Sequence, residues 1–281
     1  MSWWEAAVLG LVQGLAEFLP ISSSGHLVLG QYLLGIDEPD ITFEVFVHFG
    51  TTLSIVTVYW GRILRILRDG FGALARPAAW REALRPGRIE RARGDEIEYE
   101  PQPSGGPVPS LRLILYVLLT MIPTGLAYVL FEEPLEAAFS DPRLVCGMLL
   151  VTGTLLLLTR LRPTPDGVLS PVKALVVGAA QAFALIPGIS RSGSTICTAI
   201  YLNVDRKEAA DFSFLMLLPV VLGATLLKVL EMAETGLSGS ALALGLGTLV
   251  AYVSGIVAIR AVVILVQRRS LQYFAFYCFA V

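Results

Sequence analysis

The chain carries little charge for its length. Only 16% of its 281 residues are Asp, Glu, Lys or Arg, against about 25% in soluble domains, and the mean hydropathy is +0.69. Both values argue against a water-soluble globule. Neither sign dominates: 21 basic and 23 acidic residues leave a formal charge of −2, so there is no global basic field to attract nucleic acid. The three cysteines, Cys146, Cys197 and Cys278, fall in no CxxC spacing and supply neither a disulfide framework nor a zinc site. A secretory signal peptide is not expected, because Glu5 interrupts the first apolar run and no small-residue cleavage site precedes a polar domain. Hydrophobic residues fill the chain instead, at 55%, in blocks too long for ordinary core helices. The sequence reads as an all-α, multi-pass membrane protein forming one membrane domain over residues 1–281.

A helix crosses the hydrocarbon with roughly 20 mostly apolar residues. Six segments meet or approach that length: 41–60, 111–131, 144–159, 212–230, 241–265 and 271–281. The last is short, so it either spans partly or continues beyond the residues given. Two further apolar blocks, 3–34 and 172–202, are broken near the middle by Pro20-Ile21-Ser22-Ser23-Ser24-Gly25 and by Pro187-Gly188-Ile189-Ser190-Arg191-Ser192-Gly193. Proline removes a backbone donor and clashes with the preceding turn, and glycine opens angles closed to other residues. The spacing predicts two re-entrant helix–loop–helix hairpins; two proline-kinked full spans are the plainer alternative.

Loop charge sets a direction. Residues 61–110 carry nine arginines between Arg62 and Arg93, then an acidic run from Asp95 to Glu100. Basic residues also mark 160–173 and Arg268-Arg269, whereas 132–141 is acidic. The positive-inside rule places the basic stretches in the cytoplasm and 132–141 outside. Trp80, in the arginine-rich loop, is expected to touch anionic headgroups with it. Three crossings follow each hairpin, so the second half is inverted relative to the first. A shift of 168 positions supports this, laying Gln13 on Gln181, Ile21 on Ile189, Ser22 on Ser190, Ser24 on Ser192 and Gly25 on Gly193. The reading is an inverted-topology repeat, with repeat 1 over about 1–160 and repeat 2 over about 171–281, meeting at a central site.

Ionisable residues inside membrane segments are costly and mark function by default. The candidates are Glu17, His26, Glu44, His48, Arg191 and Asp211. Arg191, among Gly188, Ser190, Ser192, Gly193, Ser194 and Thr195, makes an oxyanion cradle, since a guanidinium is a rigid donor fork suited to phosphate and a returning half-helix adds its amides. Ser22-Ser23-Ser24-Gly25-His26 offers a nucleophile and a base, with His26 three residues from Ser23 and four from Ser22, both same-face helical spacings. Gln13 and Glu17 share a helix face. Glu17 can orient His26, bind a divalent cation or balance Arg191; one carboxylate is thin for a metal site, so a cation is expected to arrive with a diphosphate. Glu44 and His48 read as a bonded i,i+4 pair, and Asp211 as a solvated cap.

The strings Gln13-Gly14-Leu15-Ala16-Glu17-Phe18-Leu19-Pro20-Ile21-Ser22-Ser23-Ser24-Gly25-His26 and Pro187-Gly188-Ile189-Ser190-Arg191-Ser192-Gly193-Ser194-Thr195 closely resemble the two signatures of the undecaprenyl-diphosphate phosphatase family, the membrane-embedded type also known as bacitracin-resistance protein. The likeness extends to Phe43-Glu44-Val45, His48-Phe49-Gly50-Thr51, Asp211-Phe212-Ser213-Phe214 and Pro219. The resemblance implies a hydrolase of the cell membrane that removes the terminal phosphate of a C55-type polyprenyl diphosphate, recycling the lipid carrier for peptidoglycan synthesis. It also implies a magnesium or calcium ion and a site reached from the outer face. The family's serine, histidine and arginine fall on Ser23, His26 and Arg191, and its acidic first motif on Glu17, with Gln13 at the family's first acidic position, where glutamine also occurs. A transporter or flippase for phosphate or polyprenyl phosphate is the rival reading, and a non-catalytic lipid-phosphate binding module a third. The sequence leaves the oligomeric state open, a homodimer included.

Overall fold

The structure is a computed structural model and describes residues 1–36, 41–74, 76–84, 107–162, 164–235 and 240–281. Every regular element among them is helical, apart from one isolated bridge between Gly167 and Val204. Helix α1 (Trp3–Ala16) starts at a capping box: Ser2 Oγ accepts from the Glu5 amide and Glu5 Oε2 from the Ser2 amide, satisfying two donors that the first turn leaves free. The chain breaks over residues 17–22 and returns as α2 (Ser23–Leu34), stopped by Gly35 in the left-handed region at φ 68°. The second broken block behaves alike. Helix α7 (Pro171–Phe183) ends, residues 184–190 are irregular, and α8 (Arg191–Tyr201) returns.

The two turns are built from matched parts. Ser22 caps α2 by accepting from the Gly25 amide, and Ser190 caps α8 by accepting from the Gly193 amide. Ser22 and Ser24 hydroxyls lie 3.4 Å apart, and those of Ser190 and Ser192 3.2 Å. Each break also holds one left-handed residue, Ser22 at φ 70° and Gly188 at φ 93°. Glycine adopts this without penalty, whereas serine pays about 1–3 kcal/mol, next to the candidate nucleophile.

The remaining helices are α3 (Ile41–Leu74), α4 (Pro77–Leu84), α5 (Pro107–Phe139), α6 (Pro142–Leu158), α9 (Arg206–Thr235), α10 (Ala241–Gln267) and α11 (Leu271–Ala280). Among the described residues three stretches are long and apolar enough to cross a membrane: Pro109–Leu135, Pro142–Leu161 and Ala241–Gln267. Their outward faces are apolar, as Val129, Leu249 and Val257 illustrate, each more than half exposed.

Two sequence expectations need correction. The 61–110 stretch is not a loop from its start. Helix α3 runs on to Leu74 because Arg, Leu and Ile after Gly61 are good helix formers and no proline follows until Pro77. Helix α4 then folds back, with Ala73, Ala79 and Ala83 packing beside Leu111 and the partly buried Trp80 lying against this small cluster. The remaining arginines of that stretch, from Arg85 to Arg93, and the acidic run 95–100 lie outside the described residues. The expected boundary near Phe131 is a kink, not an end. Phe131 has φ −126° and ψ 23°, and the helix resumes to Phe139. Pro134 has no N–H to give the carbonyl four residues earlier. Most of the acidic 132–141 segment is therefore helical.

Small residues set the packing. Helix α1 lies on α10 so closely that a Cβ on Gly10 would strike the backbone of Gly247, and one on Gly14 would strike Ala251 and Ser254. A small residue every fourth position lets two helix backbones approach in this way. Helix α7 lies on α5 in the same manner, with Gly178 against Thr120 and Pro123. The main apolar core gathers around Phe18, Ile196, Phe214 and Ile259, directly beside the two turns.

Candidate active site

The two irregular turns meet. Ser192 Oγ donates to the Leu19 carbonyl at 3.3 Å, and a Cβ on Gly25 would come within 3.2 Å of Gly188 Cα. Val145 of α6 crowds both glycines, and Thr152 of the same helix clasps the second turn, donating to the Gly188 carbonyl at 2.9 Å and accepting from the Ser190 amide at 3.0 Å.

At the junction sits Glu17, 7% exposed. Its Oε1 accepts from Arg191 Nη2 at 2.8 Å. Its Oε2 accepts from Ser23 Oγ at 2.6 Å and from Gln13 Nε2 at 3.0 Å. The carboxylate thus ties the first arm of hairpin 1, its returning arm and the start of the returning arm of hairpin 2. A buried charge is tolerated when paired and hydrogen-bonded, and here the three partner side chains supply that. Arg191 Nη1 also donates to the Ser213 carbonyl of α9 at 3.1 Å, and Ser213 Oγ bonds Thr195 at 2.6 Å. The guanidinium is therefore held on two sides.

His26 is placed differently from the helical-spacing expectation. Helix α2 begins only at Ser23, so Ser22 stands outside it with its carbonyl directed at the ring. Nδ1–H donates to that carbonyl at 2.8 Å, which leaves Nε2 to accept from the Tyr277 hydroxyl at 2.8 Å. The Tyr277 ring stacks on the imidazole, centroids 5.5 Å apart. Ser23 points instead at Glu17. The serine and the imidazole share a turn, yet in this arrangement the carboxylate is the serine's partner.

Two residues enter the picture from tertiary structure alone. Tyr277, in the last helix, carries no local signal. Thr152 stands out in α6 only once the second turn rests on it. His48 is legible in sequence and is bonded to Glu44 as expected, but through the backbone: Nδ1–H donates to the Glu44 carbonyl at 2.8 Å, while Nε2 faces Glu17 Oε2 at 3.9 Å. The Glu44 side chain is turned to Gln31, at 3.1 Å. Asp211 is a correction too. It is 8% exposed, not a solvated cap, and accepts from the Tyr59 hydroxyl at 2.8 Å and from Arg62 Nη1, joining the middle of α3 to the start of α9.

Among the described residues no group of three His, Cys, Asp or Glu side chains is arranged to hold a metal ion. The fit to a hard cation rests on two oxygens, the Glu17 carboxylate and Gln13 Oε1, which is buried without a hydrogen-bond partner. Carboxylate and amide oxygens suit magnesium or calcium when substrate phosphates complete the shell. Ser194 Oγ, also buried and unpartnered, and Ser190 and Ser192 line the same turn. The predicted polar residues of the two motifs lie in the two turns or the first five residues of the returning helices, except Gln13, which lies on α1, while Glu44 and His48 come from α3 and Asp211 from α9.

Comparison with known proteins assigns the chain to a family. The family model for the bacitracin resistance protein BacA matches residues 6–281. A protein of Salinibacter ruber named undecaprenyl-diphosphatase is 56% identical over 283 residues, covering 100% of this chain and 97% of its own length. Proteins of the same name from Desulfatibacillum aliphaticivorans and Methanobrevibacter smithii are 36% and 34% identical, covering 100% and 99% of this chain and 96% and 94% of their own.

Proposed function

This chain belongs to the bacitracin resistance protein BacA family, and we infer that it is a membrane hydrolase removing the terminal phosphate of undecaprenyl diphosphate or a close polyprenyl diphosphate. The observation that carries the reading is the single buried carboxylate that receives Ser23 on one oxygen and Arg191 on the other. A nucleophile in contact with a base, beside a cationic fork, is what acyl- and phosphoryl-transfer chemistry needs. A carrier has no use for a serine so held.

In the proposed reaction Arg191 exchanges its link to Glu17 for the terminal phosphate. Ser23 Oγ attacks that phosphorus, its proton passes to Glu17 Oε2, and the bond to the bridging oxygen breaks, releasing the prenyl monophosphate. Water then attacks the phosphoseryl group. His26 Nε2 takes the water's proton, Ser23 Oγ recovers its own from Glu17, and phosphate leaves; His26 returns its proton to solvent. Glu17 thus acts on the serine and His26 on the water, a revision of the sequence expectation that follows from where the two side chains point. Ser22, Ser24, Gly25, Gly188, Ser190, Ser192, Gly193, Ser194 and Thr195 supply hydroxyls and amides around the diphosphate. Glu17 and Gln13 would hold a magnesium or calcium ion, which supplies neutralising charge to the phosphate oxygens when bound.

We read the architecture as an inverted repeat with six crossings and two re-entrant hairpins in one membrane domain. Supporting this, α1 packs on α10 as α7 packs on α5, so the first arm of each hairpin lies on the middle crossing of the other half; α3 meets α9, and α6 meets α11. Arginines gather where α6, α9 and α10 have their ends (Arg160, Arg206, Arg268), and Arg62 meets the start of α9 there, whereas Glu132 and Glu133 lie in the last turns of α5 and Asp141 caps α6. The positive-inside rule puts the arginine end, with the 61–110 segment, in the cytoplasm, and access to the first hairpin on the outer face.

The test is release of inorganic phosphate by detergent-purified protein from farnesyl and C55 diphosphates, with magnesium or with EDTA. Release that depends on the cation is expected. A protein active only as a carrier in sealed vesicles, with no phosphate released in detergent, overturns the reading.

A further inference from the structure

A polar cavity lies away from the two turns. Its volume is 340 Å³, and Thr159, Arg160, Arg206, Arg268, Arg269 and Gln272 line it. It sits where α6 and α10 end and α9 and α11 begin, and it shares no residue with the site around Glu17. Four guanidiniums and no carboxylate face it among the described residues. The nearest acid in sequence, Asp205, does not line it; Asp205 Oδ1 caps α9, accepting from the Lys207 and Glu208 amides at 2.9 and 3.1 Å.

Arg206 is the informative residue. It is 7% exposed, and only Nη2 has a partner, the Arg162 carbonyl at 2.9 Å. Its Nε and Nη1 are buried with none. A buried guanidinium with idle donors is costly, and the cost is removed by an acceptor bringing both negative charge and several oxygens. The rim is already shaped for one. Arg160 Nε donates to Gln272 Oε1 at 3.1 Å and its guanidinium lies 5.8 Å from the centre of the Phe276 ring, so that side chain is oriented before any ligand arrives. Arg268 and Arg269, both exposed, close the other side; Arg269 sits in the left-handed region at φ 58°.

We propose that this cavity is a binding site for a phosphate group, taken from free phosphate or from a phospholipid headgroup at the membrane surface. Planar forks engage tetrahedral oxyanions two oxygens at a time. Several of them around one cavity favour a phosphate, with its oxygens on all sides, over a carboxylate, and the volume admits a headgroup as well as the bare ion.

Two measurements test it, neither of which reads hydrolysis. Equilibrium dialysis of labelled inorganic phosphate uses the full chain in detergent carrying Glu17→Gln and Arg191→Gln together, which removes the other anion site without leaving a lone buried charge. Saturable binding is expected to survive in that background and to weaken about tenfold or more on adding Arg206→Gln, or Arg268→Gln with Arg269→Gln. The exposed pair keeps the test valid if the Arg206 variant does not fold. The second arm compares thermal unfolding in nanodiscs of phosphatidylcholine alone and with phosphatidylglycerol. A phosphatidylglycerol-dependent rise lost in the pocket variants assigns the site to a headgroup, and loss in the dialysis arm alone assigns it to free phosphate. If phosphate affinity and the lipid-dependent rise are both the same with and without the pocket arginines, the proposal is wrong.

Discussion

Arg191 Nη2 lies 2.8 Å from Glu17 Oε1, across 174 positions of sequence, and both side chains are largely buried. The pair fastens one hairpin turn to the other. It also places the positive fork and the serine that Glu17 holds around one small volume. Structure and chemistry depend on the same contact, and the two roles can be separated by experiment.

Arg191→Ala leaves Glu17 as an uncompensated buried charge, which costs about 3–5 kcal/mol. Both a lower thermal midpoint in detergent and a fall in phosphate release on the order of 10²–10³ are expected. Glu17→Gln with Arg191→Gln should regain most of the stability and none of the rate, and Arg191→Lys should stay impaired because an ammonium lacks the fork. Thermal unfolding beside a phosphate-release assay checks this; recovery of rate in the double variant would contradict it.

Ser23→Ala removes the proposed nucleophile while leaving Glu17 paired with Arg191 and Gln13. Folding should be little changed, within about 1 kcal/mol, the net worth of one hydrogen bond, and turnover should be lost. Near-normal turnover would instead point to a water activated on Glu17.

His26→Ala is expected to lower phosphate release on the order of 10²–10³, whereas Tyr277→Phe, which removes only the hydroxyl bonded to Nε2, should keep the rate within about tenfold. Mass spectrometry of quenched reactions adds a second readout. In His26→Ala a phosphoseryl species should accumulate, because the proposed role of the ring is in the second step. Slow turnover with no such species would move His26 to the first step.

Gln13 brings an unpartnered oxygen beside a lone carboxylate. Gln13→Glu should therefore lower the magnesium concentration that gives half-maximal rate, and EDTA should abolish activity in the parent and the variant alike. A magnesium dependence unmoved by Gln13→Glu would remove this residue from the cation's surroundings.

Asp211 stands apart from the turns but links α3 to α9 through Arg62 and Tyr59. Asp211→Asn should cost about 2 kcal/mol, the usual worth of hydrogen bonds to a charged group, seen as a lower thermal midpoint. Phosphate release per folded molecule should be unchanged.

The broken hairpins could be read from residues alone, because proline and glycine act on the backbone wherever they occur. Ser22, Ser190 and their neighbours likewise cap helices through contacts three residues away. Helix ends were less legible. Residues 61–74 look like a loop by charge but propagate a helix by propensity, and their neighbours in α5 and α9 decide the matter. At Phe131 apolarity ends where the helix merely bends.

Sequence by itself determined the solvent this chain needs, the two interruptions and the polar residues gathered there. These are properties of composition and of spacing over a few residues. Only the tertiary structure decided who meets whom: Ser23 with Glu17 rather than His26, His26 with Tyr277 from the last helix, Asp211 with Arg62, and Arg206 with the Arg162 carbonyl alone, its Nε and Nη1 left without an acceptor. The reason is physical. A side chain's local options are several, and the choice among them falls to the buried partner that relieves the most unpaired charge, a partner brought close by helix packing between distant parts of the chain.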